Sequence, residues 1–274
     1  MNFHYLAPLI VPVFPKEAGA TIISMNLQNM MLDVAPNLMD GEVNLRIELI
    51  VQGSSETVEE LVLTIRNGKI EPDYFLREFL SDLAGYVQIS FSCKSPYFRQ
   101  LNTEHAYMIL RRPDGGGLIM NAAHKVANPI IVNAMRNLNE FCLSHTAHYV
   151  SASRGIGNSV FLVNPYDGPV VATLALDSTN RYKKKILPKS AQIIGLSGII
   201  PEDSFTSVLY TGNNVFQAWD IRHSFASLTK INRVDHLEYF RGDPTKVRLP
   251  PRAWIRAEVS ELYRRLHEAI QGPV

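Results

Sequence analysis

The sequence predicts a mostly β protein with two sandwich-like halves. Short runs of alternating apolar residues recur along the chain, and turns containing Gly, Pro or Asn separate them. A third observation is a motif, Phe-x6-His-x-aromatic, that occurs twice: Phe98, His105 and Tyr107 form one copy, and Phe216, His223 and Phe225 the other. Each half would bury alternate strand residues between two sheets. Internal duplication explains the repeated motif, and a chance match between two sandwiches is the alternative.

In the first half, residues 9–14 form a proline-punctuated run, which favours an edge strand. Residues 43–52 alternate apolar and polar side chains and predict a strand on one face of a core. The dipeptide Asn67-Gly68 is a strong hairpin signal after the next run. Further strands are predicted at 60–65 and 86–93, and a hairpin at 105–112 and 117–123 across the turn residues 113–116.

Three segments show helical spacing. Residues 72–84 carry Phe75, Leu76, Phe79, Leu80 and Leu83, after a proline suited to a first turn. Residues 129–144 follow Asn128-Pro129 and predict a connecting helix. Residues 252–271 predict an amphipathic C-terminal helix, with one apolar stripe formed by Ile255, Val259, Leu262, Leu266 and Ala269.

The second half continues with strands at 159–163 and 170–176, and residues 193–200 continue the apolar pattern. The resulting organisation is an N-terminal β-rich domain (1–127), a helical connector (128–150), a C-terminal β-rich domain (151–249) and a C-terminal helix (250–274). The apolar stripe of that helix would bury against its own domain or form the contact of a homo-oligomer, which is the partner we expect.

The composition narrows the class of protein. Hydrophobic residues make up 46% of the 274 positions and charged residues 19%, which is typical of a globular chain. The net charge of +1 creates no overall field for nucleic acid or an anionic membrane. Two cysteines, Cys93 and Cys142, lie far apart and indicate a reducing compartment. No uncharged apolar run is long enough to span a bilayer, so we expect a cytoplasmic protein with no membrane partner.

The repeated histidines are the first candidates for a ligand site. Histidine changes its charge near neutral pH and serves as an acid–base group. The predicted ligand-binding residues are His105 and His223 with the neighbouring Glu104, Arg222 and Asp220. The alternative is that both histidines are features of the fold, with a ring nitrogen bonded to a backbone carbonyl.

The other motifs give weaker indications of a functional site. Cys142, His145 and His148 carry zinc-ligand side chains, but on a helix end they would fan out, and no second ligand pair follows. Asp220, His223 and Ser224 are not a local triad, because His223 would point to the opposite face of a strand. No phosphate-binding glycine loop is present. We therefore expect no metal and no cofactor.

These observations favour a non-catalytic binding or scaffold protein, for a small polar ligand such as a sugar or a carboxylate, or for a protein partner. An enzyme that uses a histidine as acid or base in a cleft between the domains is the first alternative. Nucleic-acid binding through the basic run 181–189 is the second. Because aromatic residues do not interleave with its lysines, the run fits an exposed edge strand better.

Overall fold

The computed structural model describes residues 4–5, 8–31, 40–93, 105–121, 124–125, 144–152, 155–175, 181–196, 199, 204–212, 217–224 and 227–236. Most of them lie in β-strands, and the strands pair antiparallel in four sheets. The predicted mostly β class is therefore confirmed, and the paired sheets are compatible with sandwich-like halves.

The N-terminal half contains two sheets and one short helix, α1 (Leu27–Met30). Its strands are β1 (His4–Tyr5), β2 (Leu9–Val13), β3 (Ala20–Asn26), β4 (Asp40–Val51), β5 (Ser54–Arg66), β6 (Lys69–Glu71), β7 (Tyr74–Phe79), β8 (Gly85–Cys93), β9 (Ala106–Arg111), β10 (Gly117–Met120) and β11 (His124–Lys125). Sheet I has the order β11-β2-β8-β4-β5-β6, with β1 also paired to β8, and sheet II has the order β10-β9-β3-β7.

The C-terminal half also contains two sheets. Its strands are β12 (Ser144–Ala152), β13 (Ile156–Asn164), β14 (Val170–Ala175), β15 (Arg181–Ile186), β16 (Ser190–Gly195), β17 (Ser204–Gly212), β18 (Gln217–Ser224) and β19 (Ile231–His236), and a 3-10 turn (Leu228–Lys230) precedes β19. Sheet III has the order β12-β17-β14-β15, and sheet IV has the order β16-β13-β18-β19.

The strand order of the two halves coincides. If β1, β6 and β11 are set aside, each half has eight strands among the described residues, and sheets I and III both pair the first, sixth, third and fourth in that order. Sheets II and IV both pair the eighth, seventh, second and fifth. The repeated histidine motif does not follow this correspondence, because His105 directly precedes its seventh strand, β9, whereas His223 lies near the end of the equivalent strand, β18.

One apolar core joins the two halves. The rings of Phe14 and Phe161 meet edge to face, with centroids 5.2 Å apart, and Phe161 continues to the buried ring of Trp219 at 6.0 Å. The opposite face of sheet IV, including Val160 and Ala218, packs in a second core with residues of sheet III. Sheet IV is therefore covered on both faces, which buries Trp219 completely.

The β4–β5 hairpin connects to the C-terminal half through its turn. Gln52 and Gly53 both have positive φ angles, 49° and 79°, as a tight hairpin turn requires. The Gly53 N–H donates to the carbonyl of Lys189 at 2.9 Å, and the Lys189 N–H donates to the carbonyl of Tyr166 at 3.0 Å. The hairpin turn is thus fixed against the turn between β15 and β16.

Several predicted elements are present. Residues 43–51 of the first run lie in β4, and residues 60–65 lie in β5. Asn67 and Gly68 form the turn to β6 with φ angles of 51° and 73°. The predicted hairpin is β9 and β10. Residues 9–13 form β2, which pairs with β8 along its length. The edge position predicted for this run is wrong at Leu9 and Ile10, because β11 pairs with β2 there on its other side.

The helix predicted at 72–84 is wrong, because residues 74–79 form strand β7. Phe75 and Phe79 point into the core, whereas Leu76 and Leu80 are 61% and 62% exposed. A strand with apolar residues on both faces shows no alternation of apolar and polar side chains, and here the spacing of the apolar residues resembles that of a helix.

The two other predicted helices fall mostly outside the described residues. The connecting helix over 129–144 and the helical connector over 128–150 are wrong where the structure describes them, because β12 begins at Ser144. A β-strand here is favoured by pairing with β17 on both sides of a register shift between Ala147 and Val150. The rest of the connector and the C-terminal helix at 250–274 lie outside the described residues.

Candidate functional site

The structure does not bring the predicted site residues into one cluster. His105 is half-buried immediately before β9, and Glu104 lies outside the described residues. Asp220 and Arg222 share the face of β18 that turns toward sheet III, since Asp220 pairs with Val160 of that core. His223 points the other way, on the face that packs against the N-terminal half.

His223 contacts a serine that the sequence reasoning missed. Its Nε2 atom lies 3.0 Å from the Oγ atom of Ser159 on β13, and both side chains are at least 95% buried. Because Gly157 pairs with His223, no side chain crowds the ring from that register position. The tautomer of the ring decides which group donates. Ser159 and His223 are distant in sequence, and the pairing of β13 with β18 brings them into contact.

Asp220 is an ionisable side chain held away from water, with an exposed fraction of 5%. Burial is the main cause that raises the pKa of Asp220 to about 6, and Asp235 adds to the effect, while Arg222 and Arg233 oppose it. The oxygen Oδ1 of Asp220 has no hydrogen-bond partner among the described residues. Asp220 can therefore hold or release a proton near pH 6.

Within the part of the chain that the structure describes, several exposed apolar side chains lie together on one face of sheet II. We call it the sheet II face, and its members are Ile22, Tyr74, Leu76, Tyr107, Ile109 and Ile119. The strand register makes it continuous, because Ile119 pairs with Ile109 and Ile109 pairs with Ile22. In the adjacent row, Ser24 lies between Tyr107 and Leu76.

The exposure of these side chains is high for large apolar groups. Ile119 is 72% exposed, Leu76 61%, Tyr74 51% and Tyr107 38%. With about 200 Å² for each complete side chain, the four leave roughly 450 Å² of surface in contact with water. This is within the range of the largest patches on monomeric proteins, which often mark interaction sites.

Polar contacts fix and border the sheet II face. The hydroxyl groups of Tyr74 and Ser24 form a hydrogen bond, which positions the ring of Tyr74 over the sheet. Arg111 donates to Glu78 at 2.6 Å at the border, so the two charges compensate each other. The face is therefore apolar in its centre and nearly neutral at this edge.

A shallow groove lies elsewhere, where the β4–β5 turn meets the β7–β8 connection. Its volume is about 470 Å³, and its lining residues are Leu49, Val51, Ser54, Ser55, Glu56, Ser81, Asp82 and Leu83. None of the residues predicted from sequence to bind a ligand lines it. The carboxylate of Asp82 pairs with Lys16 at 2.5 Å.

The two remaining sequence motifs lie on strands. The basic run forms β15, which pairs only with β14 among the described strands and is an edge of sheet III. His145 and His148 belong to β12, so the helix end predicted for them is wrong, and Cys142 lies outside the described residues. Within the described ranges, no group of three His, Cys, Asp or Glu residues is arranged to hold a metal ion.

No protein-family model matches this chain, and no curated protein matches it significantly. Among the helices that the structure describes, none has the length and apolar character needed to cross a membrane.

Proposed function

We propose that this protein is a non-catalytic binding protein that docks an apolar segment of a protein partner on the sheet II face. The observation that carries the proposal is a group of large apolar side chains on one face of a four-stranded sheet, of which Ile119, Leu76, Tyr74 and Tyr107 are 38–72% exposed. Paired strands hold the backbone of these residues in place, so little backbone conformational entropy is lost on binding. Tyrosines such as Tyr74 and Tyr107 are also enriched in protein interfaces.

A protein segment fits this surface better than a small polar ligand does. A sugar or a carboxylate needs several converging hydrogen-bond groups in a concave site. The sheet II face instead presents aliphatic and aromatic side chains, with its nearest ion pair, Arg111–Glu78, at the border. Because those two charges neutralise each other, the border gives no preference for a polyanion such as nucleic acid.

The test begins with a photocrosslinking amino acid at position 76, used in cells of the source organism so that the captured partner can be identified by mass spectrometry. The purified partner is then titrated into the full-length chain. We expect Leu76→Ser to weaken the partner's affinity by about tenfold or more, which corresponds to about 1.4 kcal/mol. Leu187→Ser is the matched control, because Leu187 is 55% exposed but lies outside the sheet II face.

Equal affinities of both variants would overturn the proposal, as would the absence of any protein adduct at position 76. Binding of a small polar ligand at the groove near Ser54, without displacement of the partner, would instead support the hypothesis of a small-ligand binding protein.

A second candidate function is a hydrolase, favoured by the contact between Ser159 and His223. A hydroxyl within hydrogen-bond distance of an imidazole is the arrangement of a nucleophile with its base. The burial of both side chains opposes this candidate, because a substrate must reach Ser159.

A fluorophosphonate probe tests the second candidate. In the labelling reaction, the Ser159 oxygen bonds to phosphorus, fluoride leaves and the serine proton passes to His223. The hydrolase predicts labelling that Ser159→Ala abolishes and His223→Gln strongly slows. A wild-type chain that stays unlabelled while folded would eliminate this candidate.

A further inference from the structure

We infer that β15 binds an acidic, extended segment of a partner protein, which adds to sheet III as a further strand. This binding edge is separate from the sheet II face, because β15 is the end strand of sheet III. Its basis is the coincidence of two features in the same six residues, Arg181–Ile186: a strand edge that no other described strand covers, and a concentration of positive charge.

The backbone of β15 offers hydrogen-bonding groups to an incoming strand. Along its whole length β15 pairs with β14, and no described strand pairs with its second edge. In an antiparallel ladder, alternate residues direct their N–H and C=O groups to the same neighbour, so roughly three of the six residues direct theirs outward. A peptide that adds as a strand satisfies such groups, and its side chains then give the specificity.

Three successive lysines place positive charge on this edge. Lys183 and Lys185 are exposed, and Lys184 is half-buried. Their register partners on β14 are uncharged, and within the described ranges none of the three lysines forms an ion pair. Lys189, just beyond the strand, differs in this respect because it pairs with Asp167 at 3.1 Å. Carboxylates of a partner would therefore complement the charge of β15.

The two faces of β15 differ, and this difference defines the pattern expected in the partner. Ile186 is completely buried in the core between sheets III and IV, and Tyr182 and Lys184 lie on the same side of the strand. Lys183 and Lys185 lie on the outer side. Since opposite charges on neighbouring strands attract, acidic residues at alternate positions would pair with these two lysines. The residues between them would lie beside Tyr182 and Ile186, where apolar side chains fit.

A peptide strand fits this edge better than a nucleic acid does. The outward carbonyl groups of β15 would repel phosphates, whereas a peptide supplies N–H groups that donate to them. Tyr182, which is 39% exposed, is the single aromatic residue of the strand, so a row of rings for stacking bases is missing from β15. The edge and its charge together therefore select an acidic peptide segment.

Peptide binding to the full-length chain tests the inference. The probe is a fluorescent synthetic peptide of about ten residues in which glutamate alternates with valine. We expect combined Lys183→Gln and Lys185→Gln to weaken its affinity by about fivefold or more. The matched control combines Lys69→Gln with Lys230→Gln, which removes two exposed lysines outside β15, and should change the affinity by less than about twofold. Bound peptide should also slow amide hydrogen exchange within residues 183–185.

Three results would overturn the inference. The first is a peptide that does not bind, which would leave the lysines as a protection of the edge against aggregation. The second is equal binding of the same peptide methylated at every backbone nitrogen, because strand addition needs those donors. The third is tighter binding of a single-stranded oligonucleotide of equal net charge. Leu76→Ser should leave the peptide affinity unchanged, so this inference and the proposed function can fail independently.

Discussion

The buried carboxyl group of Asp220 makes a specific pH dependence of stability predictable. Burial raises its pKa to about 6, from an ordinary value of 3.8. Between these two values the folded chain keeps the proton while the unfolded chain has released it, so rising pH favours unfolding. A difference of about two pH units corresponds to about 3 kcal/mol of stability lost between roughly pH 4 and pH 6.

Asp220→Asn removes this loss, because the amide has nearly the same shape and never ionises. Other carboxylates also titrate in this range, so the informative quantity is the free energy of unfolding of the variant minus that of the wild type. We expect this difference to increase by about 3 kcal/mol from about pH 4 to about pH 7, with the variant more stable at neutral pH. Urea unfolding followed by tryptophan fluorescence measures it.

Asp235→Asn is the matched control. Asp235 is the cross-strand neighbour of Asp220, but its side chain is 47% exposed and pairs with Arg233. Its substitution should change stability by less than about 1 kcal/mol, because exposed ion pairs contribute little. The reasoning is refuted if the difference for Asp220→Asn does not change with pH, or if it decreases as the pH rises.

Three further predictions concern the core and the backbone. Trp219→Ala should lower the free energy of unfolding by about 3–5 kcal/mol and lower the midpoint of a single unfolding transition, because both halves share one core. Two separate unfolding transitions, of which the substitution abolishes one, would contradict a common core. Gly19→Ala should destabilise by about 2 kcal/mol or more, measured by thermal melting, because φ is 128° and a Cβ would lie 2.3 Å from the Arg111 carbonyl oxygen. Tyr86→Phe should be neutral or stabilising by up to about 1 kcal/mol in urea, because its buried hydroxyl has no hydrogen-bond partner among the described residues. A clear loss of stability would reveal a partner for that hydroxyl.

Local patterns in the sequence predicted much of the strand content. Alternation over 43–52 predicted β4, because one face of that strand is buried and the other is half-exposed. The turn at Asn67-Gly68 was predictable because both positions require a positive φ angle. Such signals act within a few residues, so one sequence is sufficient to identify them.

Local residue spacing did not reveal the surface that we propose binds a partner. The exposed Leu76 and the buried Phe75 and Phe79 place apolar side chains on both faces of β7, so the strand lacks alternation and resembles a helix in sequence. The informative signal was present: an apolar strand that is not buried on both sides must expose one face. Recognising it required the knowledge that one face of sheet II is exposed, which depends on how the sheets pack and not on the sequence of β7 alone.

The candidate histidines illustrate a second limit of prediction from local sequence patterns. The motif common to His105 and His223 suggested equivalent places, but the structure puts one before a strand and the other near the end of its counterpart. The partner of His223 is Ser159, and strand pairing alone brings them together. Contacts of this kind depend on the order of strands in a sheet, which local spacing does not specify.

The most direct test of the binding surface compares two tyrosines of nearly equal exposure. Tyr107 on the sheet II face is 38% exposed, and Tyr182 on edge strand β15 is 39% exposed. Hydroxyl-radical footprinting of the full-length chain, with and without saturating amounts of the partner captured at position 76, measures how fast each ring is oxidised. We expect bound partner to slow the oxidation of Tyr107 severalfold and leave Tyr182 unchanged. Equal rates at Tyr107 with and without partner, or protection of Tyr182 alone, would contradict binding at the sheet II face.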